Sequence, residues 1–167
     1  MGSISAIPVA DAACDAVVCA DVLETISDEL EERAYRELWR VVRPGGILVV
    51  VVPAYPWLLN EEHHRAVHAV RRYTKPRLVR LMQTVPLQMQ RMTYLFPTLL
   101  PLIAVVRLFQ KTRRMPRGRP PRSDLRPLPR WVNAALLRIV NAERSLLRGM
   151  DFPFGSSLCA VARKPVA

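Results

Sequence analysis

Asp15-Ala-Val-Val-Cys-Ala-Asp-Val-Leu-Glu-Thr-Ile26 and Glu37-Leu-Trp-Arg-Val-Val-Arg-Pro-Gly-Gly-Ile-Leu-Val-Val-Val-Val-Pro53 decide the fold. Ala16 to Ala20 is a short apolar run after an acidic, turn-like stretch, Ala10 to Asp15, and reads as a buried strand that ends at Asp21. Ser27 and Asp28 can cap a helix with an acidic first turn (Glu29, Glu31, Glu32) and a basic end (Arg36, Arg40, Arg43), as the helix dipole favours. Leu30, Ala34, Leu38 and Val41 supply its inward stripe. Pro44-Gly45-Gly46 stops that helix, and the continuous β-branched run Ile47 to Val52 predicts a strand covered on both faces. Strand, helix and strand in this order imply a parallel βαβ unit.

Downstream, Tyr55, Pro56, Trp57 and a polar stretch with His63, His64 and His68 predict a long loop or short helix over the strand ends. Thr74 with Pro76 opens a helix through Leu78, Leu81 and Met82, and Gln88 to Tyr94 alternates like a strand. Val132, Ala135, Leu136, Ile139 and Val140 are spaced for a helix over Trp131 to Arg148, which Gly149 closes. Ser157 to Ala162 predicts the last strand. The chain thus divides into an α/β core over 1–94, an apolar segment, basic Pro-rich linker and helix over 95–148, and a strand over 149–167 that returns to the sheet.

The 167 residues, half of them hydrophobic, suffice for one ordinary core. The net charge of +11 is concentrated: Arg107 to Arg130 holds nine basic side chains against Asp124. That block, beside the apolar Leu95 to Val106, fits either an anionic membrane surface or a solvated loop behind a core helix. Nucleic acid is a weaker fit, because the basic stretch lacks interleaved aromatics on which bases could stack. Cys14, Cys19 and Cys159 form neither a CxxC pair nor a Cys/His cluster, so a reducing cytoplasm is expected and a disulfide framework is not. His64 and His68 stand one helical turn apart, but no acidic or Cys third ligand is well placed, and no metal site is read. Leu95 to Val106 is short for a membrane span and carries two prolines.

The two opening stretches, in order an acidic turn, a strand ending in an acidic residue, Leu-Glu-Thr, a helix, a Pro-Gly-Gly turn and a strand, resemble the class I S-adenosylmethionine-dependent methyltransferases. Arg71-Arg-Tyr-Thr74 and Pro153-Phe-Gly-Ser-Ser-Leu-Cys-Ala-Val-Ala-Arg-Lys164 are similar to members that act on lipid-linked or small hydrophobic metabolites. The resemblance implies a partial Rossmann-like sheet with family strands 4, 5, 7 and 6 and an appended helical segment. It also implies that the family's glycine-rich cofactor loop lies outside the chain, so that the chain is truncated and inactive alone. Ser3 stands where the family has the carboxylate for the adenine amino group, and Thr25 replaces its usual His.

By the same resemblance S-adenosylmethionine is the cofactor, held by Cys19, Ala20 and Asp21, although binding by this chain alone is not expected. Tyr55, Trp57, Arg71, Arg72 and Tyr73 would face the methyl acceptor, and His68, which titrates near neutral pH, is the candidate general base. The strand 16–20 would be left as an open edge, available to a second copy or to a missing N-terminal half. A competing reading is a non-enzymatic module that binds a partner through that edge and a membrane through 95–130, with a cytoplasmic, peripheral location.

Overall fold

A computed structural model describes residues 2–58, 69–101, 103–105 and 129–166. Its elements are β1 (Cys14–Ala20), α1 (Asp28–Val41), β2 (Val42–Pro53), α2 (Lys75–Met82), β3 (Gln88–Leu95), α3 (Arg130–Leu146) and β4 (Ser157–Arg163). They build one four-stranded sheet in the order β1-β2-β4-β3. β1 runs parallel to β2, with Val17 beside Leu48 and Ala20 beside Val51. β4 is antiparallel to both of its neighbours. The expected βαβ unit and the expected strand order are both present. His63, His64, His68 and most of the basic stretch fall outside the described residues.

The core lies between the sheet and α1 and α2. Leu48, Val50 and Val52 of β2 and Leu158, Ala160 and Ala162 of β4 are buried against Ala34, Tyr35, Leu38 and Trp39 of α1 and Leu78 and Met82 of α2. The alternate residues Ile47, Val49 and Val51 are only half-buried, which corrects the expectation of a strand covered equally on both faces. β1 departs further: Ala16, Val18 and Ala20 are exposed, Val18 at 68%, and only Cys19 is fully buried. A parallel strand with one bare face and, among the described residues, one unpaired edge is unusual, since such strands ordinarily sit inside a sheet.

Two details of α1 also differ from expectation. Ser27 holds the first position, but its carbonyl receives the Leu30 and Glu31 amides and its side chain makes no cap. Leu30, expected in the inward stripe, is 41% exposed, and Glu31, expected as a first-turn acid, is buried. Glu31 can be inside because Tyr73 donates its hydroxyl to it, Arg77 meets it at 3.0 Å and Arg71 lies 3.3 Å away. At the other end of α1, Lys164 donates to the carbonyls of Trp39 and Val42 at 2.9 and 2.8 Å, a cation on a helix C-terminus. α2 is capped as its sequence requires, with the Thr74 hydroxyl accepting from the Arg77 amide.

Gly46 explains the turn between α1 and the body of β2. A Cβ there would lie 2.8 Å from the Asp15 carbonyl oxygen and 2.9 Å from that of Arg43, both backbone atoms that cannot swing aside.

Candidate cofactor and acceptor site

In open α/β sheets ligands gather beyond the carboxyl ends of the parallel strands. Here that end is reached by Ala20 of β1 and Pro53 of β2, with the start of β4 and the end of β3 beside them, because Pro53 pairs Ser157 and Leu95 pairs Ser157. Asp21 follows β1 directly. Its amide donates to the Val51 carbonyl at 3.0 Å and its φ is +52°, so the chain turns sharply off the strand and into a short 3₁₀ turn, Leu23–Thr25. That turn places Glu24 over the strand end, 5% exposed, with Oε2 lacking a hydrogen-bond partner among the described residues.

Charge is crowded at this end. Burial pushes the Glu24 carboxyl up to about 7, the nearby Asp21 reinforcing the shift and Arg72 and Arg71 opposing it. Asp21, exposed as a residue, is also raised, by desolvation of its carboxyl against the pull of Arg72. The Cys19 thiol is pushed up to about 11 by burial and by Glu24, so it is a neutral, inert wall group and not a nucleophile. Ala20 stands exposed beside it.

The segment after β2 supplies the second wall. Tyr55 has a φ of +60°, and its ring stacks on Tyr94 of β3 at 5.6 Å and meets Trp57 at 5.8 Å. Trp57 is 65% exposed, so the rings form a shelf open to solvent. The shelf is fixed by a short parallel bridge in which Tyr73 and Tyr55 exchange backbone bonds with Pro53 and Tyr73. Gly155 lets the chain close behind it: a Cβ there would lie 2.2 Å from the Leu95 carbonyl oxygen.

The five residues read from the sequence as acceptor-facing are therefore not equivalent. Tyr55 and Trp57 form the shelf, and Arg72 donates to the Ala54 carbonyl at 3.0 Å at the same strand end. Arg71 is 7% exposed, donates to the Leu23 and Ile26 carbonyls and pairs with Asp28 at 3.1 Å. Tyr73 is fully buried with its hydroxyl on Glu31. Glu24 and Tyr94 are additions that the sequence reading missed. The family-like Leu-Glu pair after the strand could have singled out Glu24; Tyr94 carries no local signal, and only the order β2-β4-β3 brings it beside Tyr55. Among the described residues no group of three His, Cys, Asp or Glu is placed to hold a metal ion, and no helix is long and apolar enough to cross a membrane.

The sheet order and the site at its carboxyl end define a Rossmann-like fold of the methyltransferase type. Residues 1–50 match the family described as "Methyltransferase domain". That match covers less than a third of the chain, and with the sheet it ties the chain to the fold of the S-adenosylmethionine-dependent methyltransferases, whose cofactor is S-adenosylmethionine. No curated protein matches the chain. Among solved structures, it is similar to an S-adenosylmethionine-dependent methyltransferase, a possible histamine N-methyltransferase, from Thermotoga maritima, at 16% identity and a TM-score of 0.56 over 98% of this chain and 62% of that one. It is similar to the 4+2 cyclase SpnF at 20% identity and 0.54, over 99% and 54%. A third likeness, at 15% identity and 0.51 over 98% and 59%, is to a complex between the Haloferax volcanii Trm112 methyltransferase activator and a methyltransferase, so a neighbour of this fold works with a protein partner. The chain thus spans little more than half the length of these proteins. Identities this low establish the fold, and a fold shared with a cyclase does not by itself fix the reaction.

Proposed function

We propose that the chain supplies the acceptor-facing part of an S-adenosylmethionine-dependent methyltransferase. The observation that carries this reading is the placement, beyond the ends of β1 and β2, of Asp21, of Glu24, whose Oε2 has no partner among the described residues, and of the Tyr55–Tyr94 shelf. These groups suit the cofactor. It is a cation with an ammonium group and hydroxyls, and two carboxylates beside an aromatic face offer it acceptors and an electron-rich surface. When bound, the cofactor supplies an electrophilic methyl group on a sulfonium.

In this reading Cys19 and Ala20 form the floor, Asp21 and Glu24 take the donors, and Tyr55, Trp57 and Tyr94 orient a flat or apolar acceptor on their open shelf. Arg72 restrains the two carboxylates and faces the acceptor. Arg71 and Tyr73 act on the acceptor only indirectly, by anchoring the segment that carries the shelf. His68 is the candidate base that would take a proton from the acceptor. Lipid-linked or small hydrophobic acceptors fit the open shelf better than polar ones, and residues 95–130 would hold the protein to an anionic membrane surface.

Positioning two reactants accounts for most of the catalysis of such a transfer, up to roughly 7–11 kcal/mol. A site bordered by an unpaired strand is incomplete for that task. We therefore include in the proposal a further strand, from additional sequence or from another chain, that pairs with β1 and completes the cofactor cradle. The bare edge also favours a second reading, a binding module without enzymatic activity.

Calorimetric titration with S-adenosylmethionine and S-adenosylhomocysteine tests both. The expected result is no saturable binding by the chain alone and binding once a polypeptide carrying a glycine-rich strand and loop is added. Micromolar binding by the chain alone would overturn the requirement for completion, and absence of binding in every mixture would leave the non-enzymatic reading.

A further inference from the structure

α3 carries an apolar stripe that nothing among the described residues covers. Trp131, Ala135, Ile139, Ala142 and Leu146 recur at steps of four, four, three and four and so lie along one side of the helix. Trp131 is 75% exposed, Leu146 53% and Ile139 39%. The side facing the protein is a different one, lined by the half-buried Val132, Leu136 and Val140 and the buried Glu143.

The charge around this stripe has one sign. Arg138 borders it, while Arg130 and Arg144 stand on other sides of the helix and Arg148 follows its end. The single acid of the helix, Glu143, is 4% exposed and turned inward, where it accepts from the Thr98 amide at 2.8 Å and from the Thr98 hydroxyl. The chain just past its C-terminal end is anchored: Arg91 of β3 donates to the Leu147 and Met150 carbonyls at 2.6 and 2.8 Å and pairs with Asp151 at 2.5 Å. A helix with an exposed Trp and aliphatic stripe, a bordering arginine and no outward carboxylate has the composition of an interfacial amphipathic helix.

We propose that α3 is the seat of this protein on an anionic lipid surface, its stripe entering the headgroup boundary and its arginines pairing with lipid phosphates. A protein partner would serve the stripe, but the unrelieved positive flank selects an anionic one, and the cationic Arg107 to Arg130 adjoins the same helix in sequence. The inference rests on the membrane part of the proposed function and replaces a diffuse basic stretch with a defined surface.

Flotation of the full chain with phosphatidylcholine vesicles, with and without phosphatidylglycerol, tests it. Binding is expected only to the anionic vesicles. The double variant Ile139→Ser/Leu146→Ser, both positions being exposed, is expected to keep its melting curve and weaken partitioning at least ~10-fold, and Arg138→Gln to weaken it roughly five-fold. In a Trp57→Phe background, brominated lipid is expected to quench Trp131 and spare the buried Trp39. Equal binding by the double variant would overturn the proposal and leave a purely electrostatic role for the basic stretch. Loss of a dimer in that variant without vesicle binding would assign the stripe to a second copy instead. Cofactor titration of the same samples separates the two questions, since vesicle binding and methyl transfer can each fail without the other.

Discussion

The Asp21 amide donates to the Val51 carbonyl at 3.0 Å while the residue itself turns into the left-handed region at φ +52°. One residue thus ends β1 and aims a carboxylate across the strand end. Asn tolerates that conformation, whereas a β-branched residue does not. Asp21→Asn is expected to keep the urea midpoint of the parent, and Asp21→Val to lose ~1–3 kcal/mol. If the carboxylate holds the cofactor, Asp21→Asn in the completed enzyme raises the Kd for S-adenosylmethionine at least ~10-fold, a loss of ~1.4 kcal/mol.

Glu24 makes stability depend on pH in a stated direction. Its carboxyl has an ordinary value of 4.5 and sits at about 7 in the fold, because burial favours the neutral form. The folded state therefore keeps a proton that the unfolded state has released between those values. Its contribution is fully present below pH 4.5 and is lost as pH rises to about 7, by on the order of 2–3 kcal/mol. Glu24→Gln is expected to abolish this slope, so that the variant gains on the parent from pH 5 to 7.5. Urea unfolding of both proteins across that range checks it; parallel curves would show that Glu24 titrates normally.

The sheet was legible because parallel pairing needs a crossover helix, and Asp28 to Val41 lies between two β-branched runs that no hairpin could join. The site was legible only in part. Cys19, Ala20 and Asp21 could be placed by their position at a strand end, but Arg71, Arg72 and Tyr73 are consecutive and spacing could not tell which of them turns inward. That depends on Glu31, an acid on the first turn of α1 that looks like an ordinary dipole-matching residue until Tyr73, Arg71 and Arg77 close on it. The bareness of Ala16, Val18 and Ala20 was equally invisible, since an apolar run says what a strand wants to bury and not whether a neighbour is present.

Arg71 and Arg72 are adjacent yet should respond unequally to substitution. Arg71 is buried between Asp28, Glu31 and two carbonyls, and removing it leaves the Leu23 and Ile26 carbonyls without their donor and takes one of two cations from Glu31. Arg71→Met is expected to cost about 3–5 kcal/mol, and Tyr73→Phe about 1–2 kcal/mol for the lost hydroxyl on a buried carboxylate. Arg72→Met removes the bond to the Ala54 carbonyl and the positive charge beside Asp21 and Glu24; it is expected to cost less than Arg71→Met and to change acceptor KM in a completed enzyme. Thermal melts of the three variants decide; an Arg71→Met protein as stable as the parent would remove the structural assignment.

Val18 offers the sharpest test of the open edge. It sits in the middle of β1, beside Val49, with its side chain 68% exposed on a strand whose outer edge meets no described strand. Apolar edges of this kind recruit another strand, and a lysine is a common residue by which natural sheets prevent it. Because the side chain is already in solvent, Val18→Lys should fold as the parent does, its melting temperature unchanged within the few degrees that ~1 kcal/mol represents. What it should lose is company: a concentration-dependent rise in mass by sedimentation for the parent, or capture of a completing polypeptide, is expected to vanish in the variant. Association that survives Val18→Lys would locate the contact elsewhere, and α3, whose Ile139→Ser/Leu146→Ser variant carries the complementary lesion, is where it would then be sought.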